Sequence, residues 1–255
     1  FLVGDRHYRR RQWLFTHAYS DTRVSKMVLL LFLLLNGLTS VAGPKVLIYG
    51  DSWAQFAFGF VFKQYCSNVN FVNEGIQGTT SQDWITGGTG IRSIDLDGVL
   101  ASNYDAQSVY ILVGLNDHTF DQRAPEETSA YVEEMVTKTL ETAPHADILL
   151  TGYGNLPDCE SYDTLRVYLA LLGEKFALMA TKYEKLHFVP ITYIPSTRRY
   201  FMDCIHLGQN GYHELWSNPE INQILCPSPA DEEENEETSF LGCFFSRLRS
   251  FGAGW

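Results

Sequence analysis

The chain has 255 residues, 45% hydrophobic and 19% charged, enough for one domain with a full core and a polar surface. Its formal net charge of −11 leaves no basic stripe to neutralise phosphates, which argues against nucleic acid as a partner. The charge is uneven: residues 1–26 carry six basic and two acidic side chains, residues 27–42 none, and the remainder has a net charge of −15, a balance suited to a solvated secreted protein.

The apolar run Met27 to Leu35 is too short to span a bilayer comfortably. Ser40-Val41-Ala42 follows, with small residues where signal peptidase requires them, so residues 27–42 read as a signal peptide and Gly43 as the mature start. A buried hydrophobic helix is the alternative. The chain opens on Phe1, and residues 1–26 read as upstream sequence or a fragment, with Met27 as the start; the alternative keeps Arg9-Arg10-Arg11 in a long basic leader. Residues 1–42 are therefore set apart as leader and signal peptide. The chain has no Asn-x-Ser/Thr sequon, so glycosylation lends the secretory reading no support.

From Lys45 strand-like and helix-like segments alternate. Short runs rich in Val, Ile, Leu and aromatics at Val46–Tyr49, Val69–Asn73, Val109–Val113, Ile148–Thr151 and Phe188–Ile191 predict strands buried on both faces. Helices are predicted from about Trp53 to Gln64, from Glu126 to Thr142, from Tyr162 to Tyr183 and from Tyr212 to Leu225, where apolar residues recur near a 3.6 period. This alternation implies a parallel sheet covered by helices, with functional loops at the carboxyl ends of the strands.

Four short motifs fall at those ends. Gly50-Asp51-Ser52-Trp53 follows the first strand, and Gly78 follows the second in Asn73-Glu74-Gly75-Ile76-Gln77-Gly78-Thr79-Thr80. Gly114-Leu115-Asn116-Asp117 follows the third strand, and Asp203-Cys204-Ile205-His206 comes after the fifth. A serine hydroxyl is a poor nucleophile until a neutral base takes its proton. Asp203, three residues before His206, can orient one ring nitrogen and leave the other facing Ser52. The Ser52 and Gly78 amides and the Asn116 side chain are donors suited to an oxyanion. Each motif alone has a bland reading. Gly-Asp-Ser arises by chance in roughly one chain in fifteen of this length, and Asp-x-x-His in roughly a third. Gly78 and Asn116 are also common turn residues. The ordered set, each member after a strand, outweighs those readings.

Asp117 is expected to cap the segment after it. His118, His145, His187 and His213 are assigned to surface or packing, with His118 a candidate pocket wall. No second histidine or carboxylate cluster has ligand spacing, so no metal or cofactor is expected. Of the five cysteines, Cys66, Cys159, Cys204 and Cys226 fall in the domain and allow three pairings, while Cys243 lies in the tail. The acidic run within residues 227–238 reads as a disordered linker. Residues 239–255, with Phe240, Phe244, Phe245 and Phe251, could form a weak interfacial helix that touches membranes, or a poorly ordered tail.

These four blocks resemble those of the SGNH hydrolase superfamily, also called the GDSL esterase/lipase family, over about Lys45 to Leu225. The resemblance implies a flavodoxin-like three-layer α/β/α sandwich with a five-stranded parallel sheet, spanning residues 43–226. It implies Ser52 as nucleophile, His206 as base and Asp203 as its orienting acid, with Ser52, Gly78 and Asn116 forming the oxyanion hole. Trp53 stands where leucine is common and is expected to alter packing beneath Ser52 or narrow the pocket. Within that fold Cys159–Cys204 would brace the catalytic loop, and Cys66–Cys226 would link two helices on one face.

The expected protein is a secreted, monomeric, metal-independent serine carboxyl-ester hydrolase whose activity declines as His206 protonates. The compact domain resembles the bacterial thioesterase/lysophospholipase branch, which implies acyl esters as substrates, while the lack of an evident lid or long lipid-binding insertion points to small or soluble esters. A carbohydrate O-acetylesterase is the alternative, and a non-catalytic glycan- or lipid-binding module a further one.

Overall fold

The computed structural model describes residues 43–88, 93–159 and 162–226. The expectations for the leader 1–42, the linker 227–238, the tail 239–255 and Cys243 lie outside the described residues. Five strands form one parallel sheet: β1 (Lys45–Gly50), β2 (Asn70–Asn73), β3 (Ser108–Leu112), β4 (Asp147–Thr151) and β5 (Leu186–Val189). Their spatial order is β2-β1-β3-β4-β5. The central strands β1, β3 and β4 are buried almost throughout, whereas both edge strands are partly exposed. Continuous apolar runs are what burial on both faces demands.

The helices, in chain order, are α1 (Ser52–Gln55), α2 (Gly59–Tyr65), α3 (Ser81–Thr86), α4 (Leu96–Ser102), α5 (Leu115–Asp121), α6 (Pro125–Thr142), α7 (Asp163–Ala180), α8 (Gln209–Ser217) and α9 (Pro219–Leu225). One helical layer gathers α2, α8 and α9, and the other α3, α4, α6 and α7. The expected three-layer sandwich is present. Large aromatics fill both interfaces, and their polar tips mostly find partners, as buried Tyr and Trp require. Trp216 packs against Tyr110 and Phe62 and donates from Nε1 to the Ala57 carbonyl at 3.0 Å. On the other face Tyr49 meets the Trp84 ring and shares a 2.8 Å hydrogen bond with Thr139 Oγ1.

Two disulfides tie this frame together. Cys66–Cys226 joins the ends of α2 and α9 at a Cα separation of 5.7 Å. Cys159–Cys204 joins the segment after β4 to the loop before α8, at 6.2 Å. Both are the pairings suggested by where these cysteines fall in the expected fold.

Two predicted helices are each divided. The helix expected from Trp53 to Gln64 breaks at Phe58, whose left-handed backbone (φ +46°) separates α1 from α2. The Phe58 ring is held there against Tyr212 at 5.3 Å, so tertiary packing overrides the local pattern. The helix expected from Tyr212 to Leu225 starts at Gln209 and breaks at Asn218-Pro219. Proline disfavours a helical residue before it, and the Asn218 side chain caps α9 through the amides of Glu220 and Ile221. The short helices α3, α4 and α5 were not anticipated, since none exceeds seven residues and periodicity needs longer windows.

The strand order matters most for the site. The chain moves outward from β1 to β2 and then crosses back to β3 on the other side of β1. The carboxyl ends of β1 and β3 thus flank the reversal point, where open α/β sheets form their crevice. Ser52 follows β1 and Asn116 follows β3.

Candidate active site

Ser52 is the first residue of α1 and only 6% exposed. The turn that presents it needs glycine before it, because Gly50 has φ +138° and a Cβ there would run into the Leu112 carbonyl. Asp51 locks the turn: its amide donates to the Leu112 carbonyl at 2.7 Å, and its Oδ1 accepts from the Trp53 amide at 2.8 Å. Because α1 is a single turn of four residues, no long helix dipole bears on Ser52, and any anion there would rely on individual amides.

His206 and Asp203 arrive on the loop preceding α8. The loop is closed by an antiparallel bridge between Phe201 and Leu207 and by a 2.8 Å bond from the Met202 amide to the His206 carbonyl. Asp203 Oδ1 accepts from the amides of Ile205 and His206, both at 2.7 Å, while Oδ2 lies 2.8 Å from His206 Nδ1. Nε2 of the same ring lies 2.9 Å from Ser52 Oγ. With the carboxylate as acceptor, the ring proton belongs on Nδ1, leaving Nε2 as acceptor for the serine hydroxyl. Partial burial acts upward on the Asp203 carboxyl. The hydrogen bonds from the His206 ring and the two amides outweigh it and hold the carboxyl below its ordinary value. The Phe56 ring stands edge-on to the imidazole at 5.6 Å and limits its rotation.

Gly78 and Asn116 complete the group. Gly78 has φ +71° and lies in the same cleft as Ser52 and His206. Asn116, 5% exposed, donates from Nδ2 to the Thr79 carbonyl at 3.0 Å and so ties the Gly78 turn to α5. An amide nitrogen has two hydrogens, and the second remains for a ligand. The fold thus brings together all five residues singled out in the sequence: Ser52, Asp203, His206, Gly78 and Asn116.

Two expectations about neighbours, for Asp117 and His118, need correction, and the structure decides between the two alternatives for Trp53. Asp117 does not cap the segment that follows it. It is fully buried and accepts from the amide and hydroxyl of Ser81 at the start of α3, with Arg123 at 3.1 Å. Burial raises its carboxyl, against the pull of Ser81 and Arg123. His118 is no pocket wall, because its ring stacks on Tyr168 at 4.6 Å, away from the cleft. Trp53 does not narrow the pocket. It is fully buried beneath Ser52, edge-on to Tyr153 at 5.0 Å, so its effect is on packing.

The cleft, about 560 Å³, opens over Ser52. Phe56, Leu115, Phe120, Met202 and Ile205 give it largely apolar walls. Sequence reading missed this wall, whose members come from three separate segments. It also missed Tyr153, whose only signal was its place at the carboxyl end of a strand. Among the described residues no group of three or more His, Cys, Asp and Glu could hold a metal ion, and no helix is long and apolar enough to cross a membrane.

A parallel five-stranded sheet in a three-layer α/β/α sandwich, with Ser52 and Asn116 flanking its reversal point, is the SGNH hydrolase fold. Consistent with this, the model of the GDSL-like lipase/acylhydrolase family matches residues 42–214, more than half of the chain, and the protein belongs to that family of ester hydrolases. Solved structures share the fold at low identity. A carbohydrate esterase of family 3 from Talaromyces cellulolyticus is 13% identical, with a TM-score of 0.55 over 71% of this chain and 98% of that one. A mutant of Axe2, an acetyl-xylooligosaccharide esterase from Geobacillus stearmophilus, is 18% identical, with a TM-score of 0.55 over 72% and 94%. The structure of TesA is 21% identical, with a TM-score of 0.55 over 70% and 97%. No curated protein matches the sequence.

Proposed function

We propose that the protein is a secreted serine carboxyl-ester hydrolase that works through an acyl-enzyme on Ser52. The observation that carries this reading is the unbroken hydrogen-bonded line Asp203–His206–Ser52, with contacts of 2.8 and 2.9 Å. In the first half-reaction Ser52 Oγ attacks the ester carbon as His206 Nε2 takes the hydroxyl proton. Asp203 stabilises the imidazolium, and the Ser52 amide, the Gly78 amide and the Asn116 side chain receive the carbonyl oxygen as it becomes an oxyanion. The imidazolium returns its proton to the leaving alcohol. Water then attacks the acyl-enzyme with the same histidine as base, releasing the carboxylic acid and Ser52.

The apolar cleft favours an ester with a hydrocarbon acyl group. Burying each methylene against such walls adds about 0.8 kcal/mol. The second reading is a carbohydrate O-acetylesterase, supported by the Talaromyces and Geobacillus neighbours, whose names place them on carbohydrate esters. Secretion is supported by the two disulfides and by the apolar run before Gly43. The same reading takes residues 43–226 as a monomeric catalytic domain, residues 227–238 as a linker and residues 239–255 as a tail.

Assaying p-nitrophenyl esters from acetate to palmitate, beside Ser52→Ala, tests both readings. Activity rising from acetate to a medium chain, and absent in Ser52→Ala, is expected. A profile confined to acetate would favour the carbohydrate reading, and Ser52→Ala with full turnover would remove the serine mechanism.

A further inference from the structure

Beneath the site one hydroxyl connects the two turns that carry the reacting groups. Tyr153 follows β4 and is buried, 7% exposed. Its hydroxyl donates to Asp51 Oδ2 at 2.6 Å and accepts from the Leu115 amide at 3.2 Å. Asp51 precedes Ser52 in the chain, and Leu115 precedes Asn116. Apart from this hydroxyl, Asp51 Oδ1 is held by the Trp53 amide, so the carboxylate spans the nucleophile turn on one side and Tyr153 on the other. The ring is gripped edge-on by Trp53.

We infer that Tyr153 is a positioning residue for ester hydrolysis, fixing the distance between Ser52 and the Asn116 amide through paired hydrogen bonds to Asp51 and Leu115. The inference rests on the serine-hydrolase reading above. Its physical ground is that the nucleophile and the oxyanion donor sit on different strands, β1 and β3, and must keep a geometry set by a tetrahedral centre rather than by either turn alone. Misplacement of about 1 Å in such a constellation lowers rates about a hundredfold. Sheet hydrogen bonds between β1 and β3 end at Gly50 and Leu112, with one further bond from the Asp51 amide to the Leu112 carbonyl. Beyond that point the Tyr153 hydroxyl bridges the turns from the segment that follows β4. A fixed donor aimed at the oxyanion contributes only in the transition state, so loosening it should lower kcat and leave substrate binding in the apolar cleft intact.

The test is Tyr153→Phe in the full secreted chain, which keeps the ring against Trp53 and removes only the hydroxyl. Turnover is normalised to sites titrated with a fluorophosphonate, so that misfolded protein does not count. A kcat reduced tenfold or more with KM within twofold is expected. A trifluoromethyl ketone, which adds to the serine as a tetrahedral adduct, should lose affinity in proportion to kcat/KM. A merely structural role would lower the melting temperature and leave kcat per titrated site and ketone affinity at wild-type values, and that result would overturn the inference. If Tyr153→Phe does not fold, Asp51→Ser makes the same prediction, since its hydroxyl can still accept from the Trp53 amide but has no second arm to reach the Tyr153 hydroxyl; wild-type kcat per site there would overturn it equally. Ser52→Ala separates the two levels: full turnover in that variant removes the serine reading, whereas an inactive Ser52→Ala beside unimpaired Tyr153→Phe or Asp51→Ser removes only the positioning role.

Discussion

Ser52 and His206 lie 154 positions apart in the chain, yet His206 Nε2 stands 2.9 Å from Ser52 Oγ. Groups that act as one unit give non-additive losses when removed. Ser52→Ala, His206→Ala and the double variant should each lower kcat by roughly 10⁴–10⁶-fold, the double no further than the worse single. Steady-state kinetics on a p-nitrophenyl ester checks this, and losses that multiply in the double variant would show the two residues acting separately.

Asp203 acts on the ring and on stability. Asp203→Asn should lower kcat by about 10²–10⁴-fold, because an asparagine can hold the ring in the wrong tautomer. Its carboxyl titrates below its unfolded-state value, pushed up by burial but held down more strongly by His206 and two amides. The stability it adds is therefore present above the ordinary carboxylate pKa and lost as pH falls through the lower folded value. Urea midpoints between pH 3 and 7 should show the wild type losing its advantage over Asp203→Asn on acidification.

Asp51 should behave in the opposite sense. Burial, helped by the nearby Asp117, pushes its carboxyl up to about 7 against the hydrogen bonds from Tyr153 and Trp53. Between the unfolded value, about 4, and about 7 the unfolded chain ionises this group while the folded chain keeps it protonated. Its ionisation therefore draws the equilibrium toward the unfolded state as pH rises through that window, and the effect levels off above it. Relative to Asp51→Asn, the wild type should gain stability as pH drops from 7 toward 4, which the same urea titrations would reveal.

The two disulfides should separate stability from catalysis. Cys66–Cys226 closes 160 residues and Cys159–Cys204 closes 45, so loop-closure entropy gives about 5 and about 4 kcal/mol respectively. Cys66→Ser with Cys226→Ser should therefore lower the denaturant midpoint and leave kcat per folded molecule unchanged. Cys159→Ser with Cys204→Ser should also reduce kcat, because Cys204 lies between Asp203 and His206 in the loop that carries the base. Equal kcat in both double variants would show that the loop keeps its shape without its bridge.

The positions of the five strands and the five candidate site residues were legible because both depend on short local signals: apolar runs for buried strands, and motifs whose spacing fixes one turn each. What escaped depends on contacts distant in sequence. Phe58 adopts a left-handed backbone because Tyr212 receives its ring, and nothing near Phe58 states that. Asn218-Pro219 is a local signal for a helix break that the apolar spacing across it concealed. Asp117 looked like a cap for the segment after it, but its partner Ser81 lies 36 residues away. The cleft wall is a surface property, assembled from Phe56, Phe120 and Met202 on segments that only the fold brings together.

The central claim is that Ser52 forms the covalent intermediate. Intact-mass analysis of the protein after treatment with an alkyl fluorophosphonate, followed by peptide mapping, addresses it directly. One phosphonyl group per chain on Ser52, with loss of esterase activity in step and no labelling of Ser52→Ala, is the predicted result. An active enzyme that takes no label at Ser52, or labelling that persists in Ser52→Ala, would contradict the account.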